Sequence, residues 1–142
     1  MYTYDPSKVV VSFKGIILLG PYAEGTFISA KRDAPLFTRK AGADGEVARA
    51  RVKNKMGTVE FTLSQAAPAN VILSQYALVG ENAGLDVGVF QIADLSGTSL
   101  VHAEEAWIEE MPTQEFGAEL SDRVWKLALA KMQNFIGYNL SI

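Results

Sequence analysis

No cysteine occurs among the 142 residues, so disulfides and thiolate metal sites are excluded. Histidine is almost as scarce: His102 is the single imidazole, and a metal site would need carboxylates alone beside it. A basic excess is also missing. The 13 Lys and Arg residues stand against 16 Asp and Glu, giving a net charge of −3 and a pI near 5.1, which offers no support for a basic nucleic-acid-binding surface. No apolar run approaches the roughly 20 residues needed to cross a bilayer. The opening Met1-Tyr-Thr-Tyr-Asp-Pro lacks the basic region and apolar core of a signal peptide, and the expectation is a cytoplasm-like compartment with no membrane association. None of the serines sits in Gly-x-Ser-x-Gly, and the glycines make neither a P-loop nor a dinucleotide fingerprint. Internal repeats and low-complexity tracts are absent.

What remains is 49% apolar and 20% charged, an ordinary globular balance in a chain long enough for one domain with its own core. The most informative stretch runs from Gly42 to Ser64. Its second half alternates, with Val59, Phe61 and Leu63 on one side and Thr58, Glu60 and Thr62 on the other, the period-2 pattern of a strand with one buried face. Its first half places Val47, Arg49, Arg51 and Lys53 on one face and Ala48, Ala50 and Val52 on the other. Three cations opposite small apolar groups make a poor half of a private core, so something outside the subunit is expected to complete it. Asn54-Lys55-Met56-Gly57 separates the halves as a turn.

Around this stretch the pattern is mostly of strands. Val9–Phe13 and Ile16–Leu19 flank Lys14-Gly15 as a hairpin or a bulged strand, Gly25–Arg32 follows, and Leu36–Lys40 begins an extended arm. After Leu63 the period changes. Pro68 suits a helix start, Val71, Ile72, Gln75, Leu78 and Val79 recur on one face, and Gly80 or Gly84 can end the helix. Strands resume over Leu85–Leu95 and Ser99–Glu110 around a turn at Asp94–Thr98. In Asp122–Tyr138, Trp125, Leu127 and Leu129 alternate with Val124, Lys126 and Ala128. The residues of this last segment also have helix propensity, but the alternation favours a strand. The expected fold is mainly β: a β-sandwich or barrel of two antiparallel sheets with one flanking α-helix and an extended loop or hairpin arm.

Candidate chemistry is thin. Glu104, Glu105, Glu109 and Glu110 form the densest acidic cluster, and carboxylate pairs about 5–10 Å apart hydrolyse glycosides, yet glutamates along a solvated strand face are far commoner. His102 reads more simply as a half-exposed strand residue than as a base. Trp107 and Trp125 have the chemistry to stack on a sugar or a base, but their spacing among apolar neighbours suits core anchors. Arg49, Arg51 and Lys53 suit a solvated or intersubunit face better than an anion site, because no helix N-terminus or glycine nest accompanies them. Cations and anions that segregate onto different strands would let copies of the chain meet through complementary patches.

Phe37-Thr-Arg-Lys-Ala-Gly-Ala-Asp-Gly-Glu-Val-Ala-Arg49, Gly57-Thr-Val59 leading into Phe61-Thr-Leu63, Pro68-Ala-Asn70, Asp94-Leu-Ser-Gly97, Ala103-Glu-Glu-Ala-Trp-Ile108 and Glu115-Phe-Gly117, in this order, resemble the tail tube proteins of contractile-tailed bacteriophages. The resemblance runs from about Val9 to about Leu129 and rests on the joint order of these segments. It implies a non-enzymatic structural subunit without cofactors, catalytic residues or metal ligands. Such subunits form hexameric rings stacked into a tube within a contractile sheath. Their sheets join into one barrel, and an arm reaches the next ring. By position that arm spans residues 33–57, with Phe37, Arg39, Asp44, Glu46, Val47, Arg49, Arg51 and Lys53 as expected interface residues. Residues 131–142 look like a C-terminal tail added to a single tube-like domain. Implied partners are copies of the chain and the sheath, tape-measure and baseplate or terminator proteins. DNA would pass without sequence-specific binding through a lumen whose acidity limits sticking to phosphate. The implied location is the virion tail, assembled in the bacterial cytoplasm. A type VI secretion or bacteriocin tube is the related alternative. A carbohydrate-binding module or hydrolase using the Glu104–Glu110 cluster and Trp107 is the alternative from another class.

Overall fold

The computed structural model describes residues 3–23 and 25–137. Within them the alternating segments become strands that pair antiparallel. In chain order these are β1 (Val9–Phe13), β2 (Ile16–Ile17), β3 (Ile28–Arg32), β4 (Phe37–Ala41), β5 (Val47–Arg51) and β6 (Gly57–Ser64). The helix α1 (Ala69–Ala83) follows, then β7 (Gly88–Asp94), β8 (Leu100–Glu110), β9 (Asp122–Leu129) and β10 (Gln133–Phe135). Eight strands form one sheet in the order β2-β1-β7-β8-β9-β6-β3, with β10 paired to β8, while β4 and β5 form a separate two-stranded sheet. The mainly β class with two antiparallel sheets and a single helix is as the sequence predicts.

The large sheet curls around its core. β2 lies at one end of the strand order and β6 next to the other, yet Tyr22, shortly after β2, bridges to Leu63 of β6. Five residues of chain reach at most about 18 Å, so the two ends of the sheet are held close together. Tyr22 secures this crossing by donating from its hydroxyl to the Leu18 carbonyl at 2.8 Å. Inward positions of every long strand then meet in one cluster, with Phe13, Phe61, Phe90, Trp125 and Leu127 fully buried. Burial of each such side chain contributes about 1.5–3 kcal/mol.

Helix α1 closes the open side. It starts after Pro68, whose φ of −60° already suits a helix, and ends at Gly84 with a φ of 67°, a left-handed geometry that glycine adopts without strain. Asn70 ties the first turn to the sheet. Its Oδ1 accepts from Trp125 Nε1 at 2.8 Å, and its Nδ2 donates to the Ser64 carbonyl at 2.9 Å. Phe13 packs edge-on to Tyr76 with ring centroids 5.3 Å apart. These anchors fix the helix rotation and overturn one expectation. Ala69 and Leu73 are buried and Ile72 and Tyr76 pack beside them, whereas Val71, Leu78 and Val79 face outward at 61%, 53% and 42% exposure. The helix carries two apolar stripes, and the inner one is the i, i+3, i+4, i+7 set beginning at Ala69.

The run expected as one strand from Asp122 onward is divided. Between β9 and β10 the chain turns Met132 into the core, where it lies against Gly57, a position at which any Cβ would collide with its side chain. The Arg32 guanidinium holds this jog through two bonds to the Met132 carbonyl, at 2.7 and 3.1 Å. Beyond it, β10 pairs Gln133 with His102 and Phe135 with Leu100, so the segment expected as a tail contributes a core residue and a strand. Residues 138–142 of that segment lie outside the described residues.

Candidate assembly surface

The two strands of the β4–β5 hairpin are held together by their own ladder, and a tight tip joins them. Asp44 Oδ1 accepts from the Glu46 amide at 3.1 Å, Gly42 donates to the Glu46 carbonyl at 2.7 Å, and Gly45 sits at a φ of 85°. Every residue of both strands is exposed, so neither face of the hairpin packs on the body of the protein. The register pairs Phe37 with Arg51, Arg39 with Arg49 and Ala41 with Val47, which places these six side chains on one face. The Arg49 guanidinium lies over the Phe37 ring at 4.2 Å. Lys53 follows in the connector to β6, and Asp44 and Glu46 occupy the tip. The structure thus gathers Phe37, Arg39, Val47, Arg49 and Arg51 on one surface and sets Asp44, Glu46 and Lys53 at its ends.

Exposure on this scale extends beyond the hairpin. A compact monomer of 15.4 kDa is expected to expose roughly 7,200 Å², whereas this chain exposes 9692 Å². Large apolar residues on the surface include Val47, Val71, Leu78, Leu85, Phe116, Leu120 and Ile136, each more than half exposed. The outer helix stripe is legible in the sequence as an apolar face; the residue that decides its rotation is Asn70, a polar side chain.

The catalytic candidates do not come together. His102 is half-buried in β8 beside its cross-strand neighbour Gln91, with Nδ1 3.4 Å from Gln91 Oε1, in keeping with a strand residue. Glu104, Glu105, Glu109 and Glu110 are exposed along β8, and a bulge interrupts the β7–β8 register between Ala103 and Ala106. Among the described residues no group of three or more His, Asp and Glu side chains is arranged to hold a metal ion. Among the described residues no helix is long and apolar enough to cross a membrane. Trp125 is the core anchor the sequence predicts, but Trp107 is only half-buried, on the outer face opposite Ala128. A residue the sequence reading missed is Arg123. It occupies an inward position of β9 and is 6% exposed. Its guanidinium donates to Ser121 Oγ at 2.6 Å and to the Glu115 carbonyl at 3.0 Å and lies 5.5 Å from the Phe116 ring, so it fastens the loop between β8 and β9. Its place in the 123, 125, 127, 129 alternation was the available signal.

No protein-family model matches the chain. It is 28% identical over 134 residues to a structural protein, ORF10, of Pseudomonas phage KPP10, an alignment that covers 89% of this chain and 78% of that protein. Among solved structures, the fold matches the tube-terminating cap of the anti-feeding prophage with a TM-score of 0.64 at 8% identity, covering 95% of this chain and 92% of that one. It matches a chain of the sheath–tube complex of an extracellular contractile injection system, PVC, in the extended state, with a TM-score of 0.66 at 11% identity, covering 94% and 92%. The sheath/tube terminator of the same system matches with a TM-score of 0.62 at 10% identity, covering 96% and 99%. These structures share the fold of this chain.

Proposed function

We propose that this chain is a structural subunit of a phage tail tube, one that assembles into hexameric rings stacked inside a contractile sheath. The observation that carries the reading is the β4–β5 hairpin, a built element that adds nothing to the core of its own subunit. Two-stranded hairpins alone in water are marginal, so a role in contacting another copy gives this one its reason. The region 33–57 serves as the arm, and Phe37, Arg39, Asp44, Glu46, Val47, Arg49, Arg51 and Lys53 form its contact surface. Copies of the chain are the first partners. The sheath, tape-measure and baseplate or terminator proteins meet the finished tube, DNA passes through its lumen during ejection, and the subunits reside in the virion tail after assembly in the host cytoplasm.

A second reading, a tube or terminating cap of a related contractile injection system, is favoured by the fold matches to caps and terminators. Negative-stain microscopy of the purified protein over a range of concentration and salt separates the two roles. Stacked rings of sixfold symmetry support a tube subunit, and single rings that do not stack support a cap. A strictly monomeric species under all conditions sinks both.

A further inference from the structure

We propose that the arginine face of the β4–β5 hairpin docks on the outer acidic surface of β8 in a second copy of the chain, with Glu104, Glu105 and Glu109 receiving Arg39, Arg49 and Arg51. This rests on the tube reading above and names the surface that the arm contacts.

Charge is divided sharply along the chain. Residues 33–57 hold six cations and three carboxylates, a net +3, while the remainder holds seven cations and thirteen carboxylates, a net −6. Residues 100–122 contain seven carboxylates and no Lys or Arg. On the hairpin, Arg39 and Arg49 stand directly opposite each other, and like charges in that position destabilise a strand pair. A surface carboxylate partner relieves that repulsion, and guanidinium groups bind carboxylates in paired, directional hydrogen bonds. The hairpin's own acids are at its tip, where Asp44 is engaged by the Glu46 amide.

The candidates on the body narrow quickly. Glu60 and Glu110 both stand across from Lys126 of β9. Glu115 and Glu119 lie in the loop fastened by Arg123. Glu104, Glu105 and Glu109 are exposed on β8, and the bulge places the first two side by side at the sheet surface. The chain opposite Glu104 and Glu105 in register, between Leu129 and Gln133, supplies one cation, Lys131, and Glu109 lies in a second bulge, between Ile108 opposite Leu127 and Glu110 opposite Lys126. Lys131 and Lys126 together face Glu104, Glu105, Glu109, Glu110 and Glu60, so five carboxylates against two cations leave an anionic surface whose sign suits three arginines.

A charge exchange tests this. Arg39→Glu/Arg49→Glu/Arg51→Glu and Glu104→Arg/Glu105→Arg/Glu109→Arg are each compared with a chain carrying all six changes, by microscopy and sedimentation, with circular dichroism confirming the fold. Each triple variant is expected to lose assembly by about tenfold or more, because like charges across an interface repel. The six-fold exchange is expected to restore it to near wild type. Assembly by the acidic-strand variant at wild-type levels, or no recovery in the combined chain, overturns the docking while leaving the tube reading intact. A wild-type chain that never assembles overturns the tube reading itself.

Discussion

β5 and β6 are neighbours in sequence, both alternate with period 2, and they end in opposite circumstances. In β6 every second residue, Gly57, Val59, Phe61 and Leu63, is fully buried, and the strand is sandwiched between β3 and β9. In β5 every residue on both faces is exposed, and among the described residues its one strand partner is β4. Alternation makes a strand, but what stands at the alternate positions decides whose core the strand joins. Valine, phenylalanine and leucine fill the subunit's own interior. Arginine on one face and alanine on the other cannot, and the pair β4–β5 stays exposed outside that interior.

Parallel truncations sharpen that contrast most strongly. Phe61→Ala removes a fully buried ring and is expected to cost about 3–5 kcal/mol, whereas Phe37→Ala, on the hairpin, is expected to change subunit stability by no more than about 0.5 kcal/mol. Urea unfolding of the two variants checks this, and similar losses would break the distinction. On the helix, Leu73→Ala is expected to cost about 2–5 kcal/mol and Leu78→Ala about 0.5 kcal/mol or less, since only Leu73 is buried. The reverse order in thermal melts would mean the helix is rotated from the position described. Asn70→Ala removes the acceptor of Trp125 Nε1 and is expected to cost about 1–3 kcal/mol, with a change in tryptophan fluorescence absent from any hairpin variant. The smallest effect concerns the closure of the sheet. Burial pushes the Tyr22 phenol up from 10.0 to about 12, so the folded state holds that proton more tightly than the unfolded one. The stabilisation is complete below pH 10 and declines between pH 10 and 12. In Tyr22→Phe that part of the alkaline decline should be missing, as followed by circular dichroism.

Much of this was legible from the residues. Alternating apolar positions located nearly every strand, and Pro68 with Gly80 or Gly84 bracketed the helix, which ends at Gly84, because hydrophobic period and backbone geometry act locally. The helix rotation was not legible. Val71, Leu78 and Val79 form as good an apolar stripe as Ala69, Ile72, Leu73 and Tyr76, and the choice is made by the Asn70–Trp125 bond across 55 positions of sequence. The break between β9 and β10 was hidden for the same reason, since Met132 turns inward only because Gly57 leaves room for it. Arg123 escaped notice because its partners are mainly backbone carbonyls and a hydroxyl of a loop that the sequence does not place. The candidate surface was visible as an odd strand, but its exposure and the opposed pair Arg39–Arg49 required the register of the hairpin.

Hydrogen exchange of the dissociated and the assembled protein, read separately over residues 37–51 and 57–64, tests the central claim most directly. Amides of β6 should be strongly protected in both states, because that strand belongs to the subunit's core. Amides of β4 and β5 should exchange rapidly in the dissociated subunit and become protected by at least about tenfold on assembly, as expected for a marginal hairpin that gains a partner. Equal protection of the hairpin in both states would contradict the account, and so would a hairpin left unprotected in assembled rings.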